Sequence, residues 1–237
     1  DMSLPYPEPS GPGNLTLPVK ERINSEGGVD TPLDEEAVRE QTRVLKGYNV
    51  EGIAVCFLWS TVNPAHERRA REIIHEVWPE VTVVLSSEVN PSNREYRRWV
   101  SAAMDASLRK LISSYANDLN SRLNDAGFIG KVGMLNAAGG VMSTNEIVNR
   151  PLYSVDSGPS MAPIAGRKYA MDDLDEKNAV VLDMGGTTFD VSCVIDGEIS
   201  VSKEAIIGDE IPGISRVNVH SIGTRGSSIA RVDNAGR

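Results

Sequence analysis

Ala179 to Val194 reads AVVLDMGGTTFDVSCV, and this stretch decides the fold. An apolar run, Ala179 to Leu182, ends in Asp183. Met184, Gly185, Gly186, Thr187, Thr188 and Phe189 follow, and a second carboxylate, Asp190, opens another β-prone run to Ile195. Asp196-Gly197 closes that run, and Glu198 to Lys203 reads as a third strand. The pattern is strand, glycine-rich turn, strand, turn, strand. A Walker loop or a Rossmann fingerprint places a helix after its glycines, so that phosphate sits on the helix N-terminus. Here the glycines join two strands, and the Lys-Ser/Thr ending of a Walker loop is absent. Two readings fit: an ordinary hairpin turn, or a loop whose amides approach an anion where no Cβ intervenes. In the second, Thr187 and Thr188 donate to phosphate oxygens and Asp183 holds Mg²⁺ through water, since Mg²⁺ keeps much of its hydration.

Composition narrows the partners. The 237 residues are enough for one large domain or two small ones. The net charge of −9 argues against non-specific binding to nucleic acid or to an anionic membrane, though not against a nucleotide. No apolar run approaches a membrane span. DMSLPYPEPSGPGN lacks the basic start and apolar core of a signal peptide, and Asp1 is not an initiator Met, so a processed, trimmed or partial cytoplasmic chain is expected. Asn14-Leu15-Thr16 matches a glycosylation sequon, discounted without a secretory signal. Cys56 and Cys193 lie inside apolar strand-like runs and are expected to be buried, reduced thiols.

Upstream of the hairpin the chain alternates strands and helices. Asp34 caps a helix with Glu35 and Glu36 in its first turn, ending near Gly47. Ile53 to Leu58 and Val81 to Leu85 read as buried strands. Between them lies a helix with Pro64 at its first position and Pro79 after its end. Strand, helix, strand with short joins implies a parallel crossover and an α/β fold. Residues 93–126 carry helical periodicity through Trp99, Val100, Ala103, Leu108, Leu111, Ile112, Tyr115, Leu119 and Leu123, the pattern of a core helix. Lys131 to Asn136 reads as a strand, Ser143 and Glu146 as a capping box, Met161 to Ala170 as a small-residue helix and Val217 to Ser221 as a late strand. Arg68, Arg69 and Arg71 with Glu67, Glu72 and Glu76 read as a solvated helix face. His66 and His75, nine residues apart, do not form the i, i+4 pair of a helical metal site.

Six stretches then fall into a known order: FLWSTVNPAHERRAREI (57–73), LSSEVNPSNREYRRWVSAAMDASL (85–108), GGVMS (139–143), SGPSMAPIAG (157–166), LDMGGTTFDVSCVIDGE (182–198) and SIGTRGSSIARVD (221–233). They resemble the hydantoinase/oxoprolinase family of the hydantoinase A type, above all through Asn63-Pro64-Ala65-His66-Glu67 and Asp183 to Thr188. The resemblance implies membership of the sugar kinase/Hsp70/actin superfamily, with two ribonuclease-H-like domains and ATP in the cleft between them. Residues 1–100 are then the C-terminal part of the first domain, and 101–237 the N-terminal part of the second. The 183–190 hairpin is similar to that superfamily's second phosphate loop. The resemblance implies Asp183 as the catalytic and Mg²⁺-positioning carboxylate, and Gly185, Gly186, Thr187 and Thr188 as the phosphate cradle. It adds Ser157, Gly158, Gly223, Gly226 and Ser227 as cofactor-binding, with Arg225 a cation for phosphate or a substrate carboxylate.

Family members activate a carbonyl with ATP, either to open cyclic amides such as hydantoins, 5-oxoproline and lactams, or to carboxylate ketones. The expected partners are a small carbonyl substrate and a second large subunit. A non-catalytic nucleotide-binding fragment is the third alternative. Three departures bear on this. No Asp-x-Gly-Gly-Thr loop stands upstream, and the family continues beyond a point like Arg237, so the chain alone is expected to be inactive. Ser160-Met161-Ala162 replaces an Ala-Gly-Gly, and Gly223 to Ser228 is poorer in glycine than usual, which leaves the substrate class open.

Overall fold

A computed structural model describes residues 13–223. They fall into two compact units, the first comprising residues up to 134, 142–154 and 203–214, the second 135–141, 155–202 and 215 onward. Among the described residues no helix is long and apolar enough to cross a membrane.

In the first unit the order is β1 (Arg22–Ile23), β2 (Val29–Thr31), α1 (Glu35–Gly47), β3 (Gly52–Val55), α2 (Ala65–Val77), β4 (Thr82–Leu85), α3 (Ser86–Val89) and α4 (Glu95–Asp125). The chain continues through β5 (Gly133–Leu135), β6 (Val141–Ser143) and α5 (Thr144–Asn149). β3 and β4 pair in parallel, Ile53 against Val83 and Val55 against Leu85, as the crossover reading requires. Asp34 caps α1 by accepting from the Ala37 amide at 3.0 Å. Ser143 and Glu146 form the full capping box of α5. Pro64 stands one place earlier than expected, as the N-cap of α2, and that helix stops at Val77, short of Pro79. Val38, Ile53, Val55, Ala70, Ile73, Ile74, Val81, Val83 and Leu85 form the core, with α2 packed over the two strands and α1 against α2.

α4 also packs against β3 and β4, but of the residues its periodicity points to only Val100 is fully buried. Val100, Ala102, Ala106 and Ala116 are buried, whereas Trp99, Leu111 and Tyr115 are exposed. Close approach is the reason. A Cβ on Gly52 would stand 3.2 Å from the Ala106 carbonyl oxygen, so only small side chains fit along that contact.

Glu67 departs from its expected place on a solvated face. Arg68, Arg69, Arg71, Glu72 and Glu76 are at least partly exposed, but Glu67 is fully buried. Its carboxylate accepts from the Phe57 amide at 3.0 Å, Ser86 Oγ at 2.5 Å, and the Ser87 amide and Oγ at 3.0 and 2.7 Å. Fully buried Arg98 completes the network, donating to Ser86 Oγ, the Ser92 carbonyl and the Phe57 carbonyl at 3.0, 2.8 and 2.8 Å. The end of β3 and three helices meet there. His66 is also buried, with Nδ1 2.8 Å from Glu21. His75 Nε2 lies 3.3 Å from the Val81 carbonyl.

The second unit contains α6 (Met161–Leu174), β7 (Ala179–Met184), β8 (Phe189–Ile195), β9 (Glu198–Ile199), β10 (Val201–Ser202), β11 (Arg216–Val217) and β12 (His220–Ile222). β7, β8 and β12 form an antiparallel sheet in the order β12-β8-β7, and β9 pairs with β8. Asp196 and Gly197 turn the chain between β8 and β9 with φ of 52° and 76°, the left-handed pair that a tight hairpin demands. The expected third strand is broken between β9 and β10, because Ser200 gives its carbonyl to the Asn218 amide. The expected strand at 217–221 is split likewise, β11 pairing with β10 and β12 with β8.

Cys193 is exposed, contrary to expectation. It lies on the sheet face with exposed Val180, Leu182, Met184 and Ile195, while α6 covers the other face. Cys56 is half-buried rather than fully buried, yet desolvation of its sulfur, reinforced by the nearby Glu67 carboxylate, pushes the thiol far above the ordinary range. A neutral-pH alkylating reagent will label Cys193 in the native protein and leave Cys56 untouched until denaturation, as peptide mass mapping will show. Glu67→Ala strips four donors of their acceptor and leaves Arg98 uncompensated. It will cost about 3–5 kcal/mol in denaturant unfolding.

Candidate functional site

The hairpin register follows from its tip. Asp183 stands opposite Asp190, and Met184 opposite Phe189. The Gly185 amide donates to the Thr188 carbonyl at 3.0 Å, leaving Gly186 and Thr187 as the connection. Asp183, Gly185, Gly186 and Thr187 are exposed, and Thr188 is half-buried. Asp190 is only 7 % exposed.

Gly185 and Gly186 both have negative φ, so the backbone does not need glycine for a left-handed turn. A Cβ on Gly186 would meet nothing within 4 Å, and one on Gly185 only the Thr188 carbonyl oxygen at 3.5 Å. Neither conformation nor packing calls for glycine at 186. The bare backbone leaves open space at the tip, the arrangement in which glycine lets an anion approach backbone amides.

α6 is aligned by two contacts. A Cβ on Gly166 would fall 2.2 Å from Val181 Cγ2, and one on Gly197 would lie 3.6 Å from Met171 Sδ. Gly197 is at the end of the stem far from the tip, so α6 runs antiparallel to β7. Five residues of helix span about 7.5 Å and two of strand about 6.6 Å, which places Met161 level with Asp183. The amino end of α6, with Ser157-Gly158 just before it, therefore lies at the hairpin's glycine end. No acidic residue occupies its first turn. Its first amides are spent, however: Met161 donates to the Gly158 carbonyl and Ala162 to the Pro159 carbonyl, while position 163 is proline. The helix offers the positive end of its dipole more than free donors.

Ser157 holds this entry through its carbonyl, 2.6 Å from Ser160 Oγ, which is also 3.1 Å from the Asn136 carbonyl. Gly158 has open space where a Cβ would stand, as does Gly223 at the end of β12. Gly226 and Ser227, with Arg225, lie outside the described residues.

Asp190, which the sequence shows only as the carboxylate opening the second strand, is the most constrained residue of the hairpin. Thr188 Oγ1 donates to Asp190 Oδ2 at 3.2 Å, and Asp190 Oδ1 is buried with no hydrogen-bond partner. A signal for it was present: a two-residue tip at 186–187 sets position 183 against position 190, so two carboxylates must face each other. Among the described residues no group of three or more His, Cys, Asp or Glu side chains gathers.

These features define the class: an α/β protein with a solvent-facing glycine-threonine hairpin set between paired aspartates. Comparison with known proteins then gives the lineage. The profile of the hydantoinase/oxoprolinase family matches residues 98–237, and that of the hydantoinase/oxoprolinase N-terminal region matches residues 3–78. The chain belongs to the hydantoinase/oxoprolinase family. It is 36% identical over 232 residues to the acetophenone carboxylase gamma subunit of Aromatoleum aromaticum, covering 94% of this chain and 31% of that protein. It is 30% identical over 236 residues to the caprolactamase subunit alpha of Pseudomonas jessenii, covering 100% and 34%. The crystal structure of the ATP-dependent caprolactamase from Pseudomonas jessenii superposes with a TM-score of 0.84 at 28% identity, over 99% of this chain and 34% of that one. The chain thus spans about a third of the length of these relatives.

The close approach of α6 to β7 sets the height of its amino end. Gly166→Ala gains helix propensity of about 1 kcal/mol but drives a methyl group into β-branched Val181, which cannot swing aside. Overpacking will win by about 1–2 kcal/mol in thermal unfolding. Val181→Ala in the same protein will recover part of that loss, giving a non-additive double-mutant cycle.

Proposed function

We propose that this chain supplies the second phosphate loop of an ATP-dependent enzyme built from two ribonuclease-H-like domains. Residues 1–100 belong to the end of the first domain and 101–237 to the start of the second. The reaction is phosphorylation of a carbonyl-derived oxygen of a cyclic amide (a hydantoin, 5-oxoproline or a lactam), followed by hydrolysis. The observation that carries this reading is Gly186, a glycine with negative φ and open space around it at the tip of a hairpin.

ATP with Mg²⁺, when bound, supplies the phosphoryl group. The residues present fit that pair. Gly186 and Thr187 are exposed at the tip, so their amides and the Thr187 hydroxyl are the donors offered to phosphate oxygens, while the Thr188 hydroxyl holds Asp190 and Thr188 serves the cradle through its backbone. Asp183, exposed at the end of β7, positions Mg²⁺ through water. Fixed donors of this kind stabilise charge as it develops on a transferring phosphoryl group. Ser157, Gly158 and Gly223 extend the same surface, and the family resemblance alone adds Gly226 and Ser227 to the cofactor-binding set. The α6 dipole favours an anion at that end of the unit.

A second reading has its own support, the 36% identity to a ketone carboxylase subunit. In it the same activation feeds carboxylation of a ketone. Both readings place the protein in the cytoplasm, with a second large subunit as partner. ATP consumption by the intact protein separates them: stimulation by a lactam, hydantoin or 5-oxoproline supports the first, and stimulation only by a ketone with bicarbonate supports the second.

Gly186→Ala tests the site itself. The substitution adds a methyl group where nothing in the chain opposes it, so stability will hold or rise by up to about 1 kcal/mol. ATP affinity, measured by calorimetry, will fall at least about tenfold. Full affinity in this variant overturns the assignment of the tip to phosphate binding.

A further inference from the structure

We propose that Asp183 and Asp190 form one divalent-cation seat across the hairpin stem, with Asp190 Oδ1 as its anchor. The inference rests on the phosphate-loop reading and adds a second carboxylate to it.

Asp183 and Asp190 are direct cross-strand partners and project from the same sheet face. Like charges placed so are unfavourable unless something lies between them. Among the described residues no lysine or arginine pairs with either. The two carboxylates are not equivalent. Asp183 is exposed and free to turn. Asp190 is 7 % exposed, and Thr188 fixes its Oδ2 at 3.2 Å. That single bond sets the orientation of the group and leaves Oδ1 buried with no partner. A buried carboxylate oxygen without a partner carries the full cost of its lost hydration. The adjacent tip is where a cation arriving with phosphates would stand.

The donor set names the class of ion. Both ligands are carboxylate oxygens. Cys193 and His220 belong by strand alternation to the opposite face, so no soft or imidazole ligand converges. Two carboxylates leave most of a coordination sphere for water and phosphate oxygens. That is the habit of Mg²⁺, or of Mn²⁺ in its place, bound together with a nucleotide.

The test compares ATP affinity of the intact protein in EDTA and in Mn²⁺. In the wild type, Mn²⁺ will tighten ATP binding. In Asp190→Asn that enhancement will fall at least about tenfold, while affinity in EDTA stays equal or improves because a negative charge has left the phosphate site. Asp190→Asn retaining the full Mn²⁺ enhancement overturns the seat and leaves the phosphate-loop reading standing. Failure of the wild type to bind ATP in either condition removes that reading as well. A second measurement needs no variant. Mn²⁺ alone, added to ¹⁵N-labelled wild type, will broaden the amide signals of Asp183 and of residues 189–191 first. Broadening centred elsewhere also overturns the seat.

Discussion

The buried carboxylate of Glu67 is the constraint on which the first unit depends. Placing an ion there carries a large desolvation cost, offset only by complete hydrogen bonding. Four donors meet it, two of them backbone amides, Phe57 just past β3 and Ser87 in α3. Arg98 reaches the same serine and the Phe57 carbonyl, so a strand end and three helices share one polar knot. The apolar core beneath it is ordinary in kind, and hydrophobic contacts alone tolerate sliding. The knot does not, because a shift leaves an amide or a charge unmatched. The second unit has its own buried carboxylate, Asp190, and the contrast is instructive. Glu67 is fully satisfied by its own chain and has nothing left to give a ligand. Asp190 is satisfied on one oxygen only.

What the sequence made legible was local chemistry. The Asp34 cap, the Ser143–Glu146 capping box and the Asp196-Gly197 turn all depend on residues within four positions of one another, and all stand where the pattern put them. The parallel pairing of β3 and β4 followed from short joins and an intervening helix. Gly185-Gly186 between strands marked the candidate site, and of its two readings the structure weakens the one that needs glycine for the turn. Their φ values are negative, so the turn itself does not demand them.

The rest was hidden because it depends on distance in sequence. Glu67 sits in a helix dense with charge, and nothing nearby reveals that Ser86, Ser87 and Phe57 converge on it. α4 reads as an apolar stripe, but its packed face is set by how closely Gly52 lets the helix approach, so alanines go in and Trp99 stays out. Cys193 lies in a run, Val191 to Ile195, that is apolar but for Ser192 and so reads as a strand covered on both sides. Only the α6 side is covered among the described residues. Family membership explains the order of the motifs, while the physics of each remains that of its own surroundings.

The two units are interleaved along the chain. The backbone passes between them after residues 134, 141, 154, 202 and 214. The consequence is temporal. During synthesis, residues 203–214 emerge long after α4, yet Arg97 waits for Glu204, Tyr96 for Glu210 and Asn90 for the Pro212 carbonyl. The first unit therefore cannot finish folding on the ribosome until most of the second has been made. Neither can be excised as one contiguous segment.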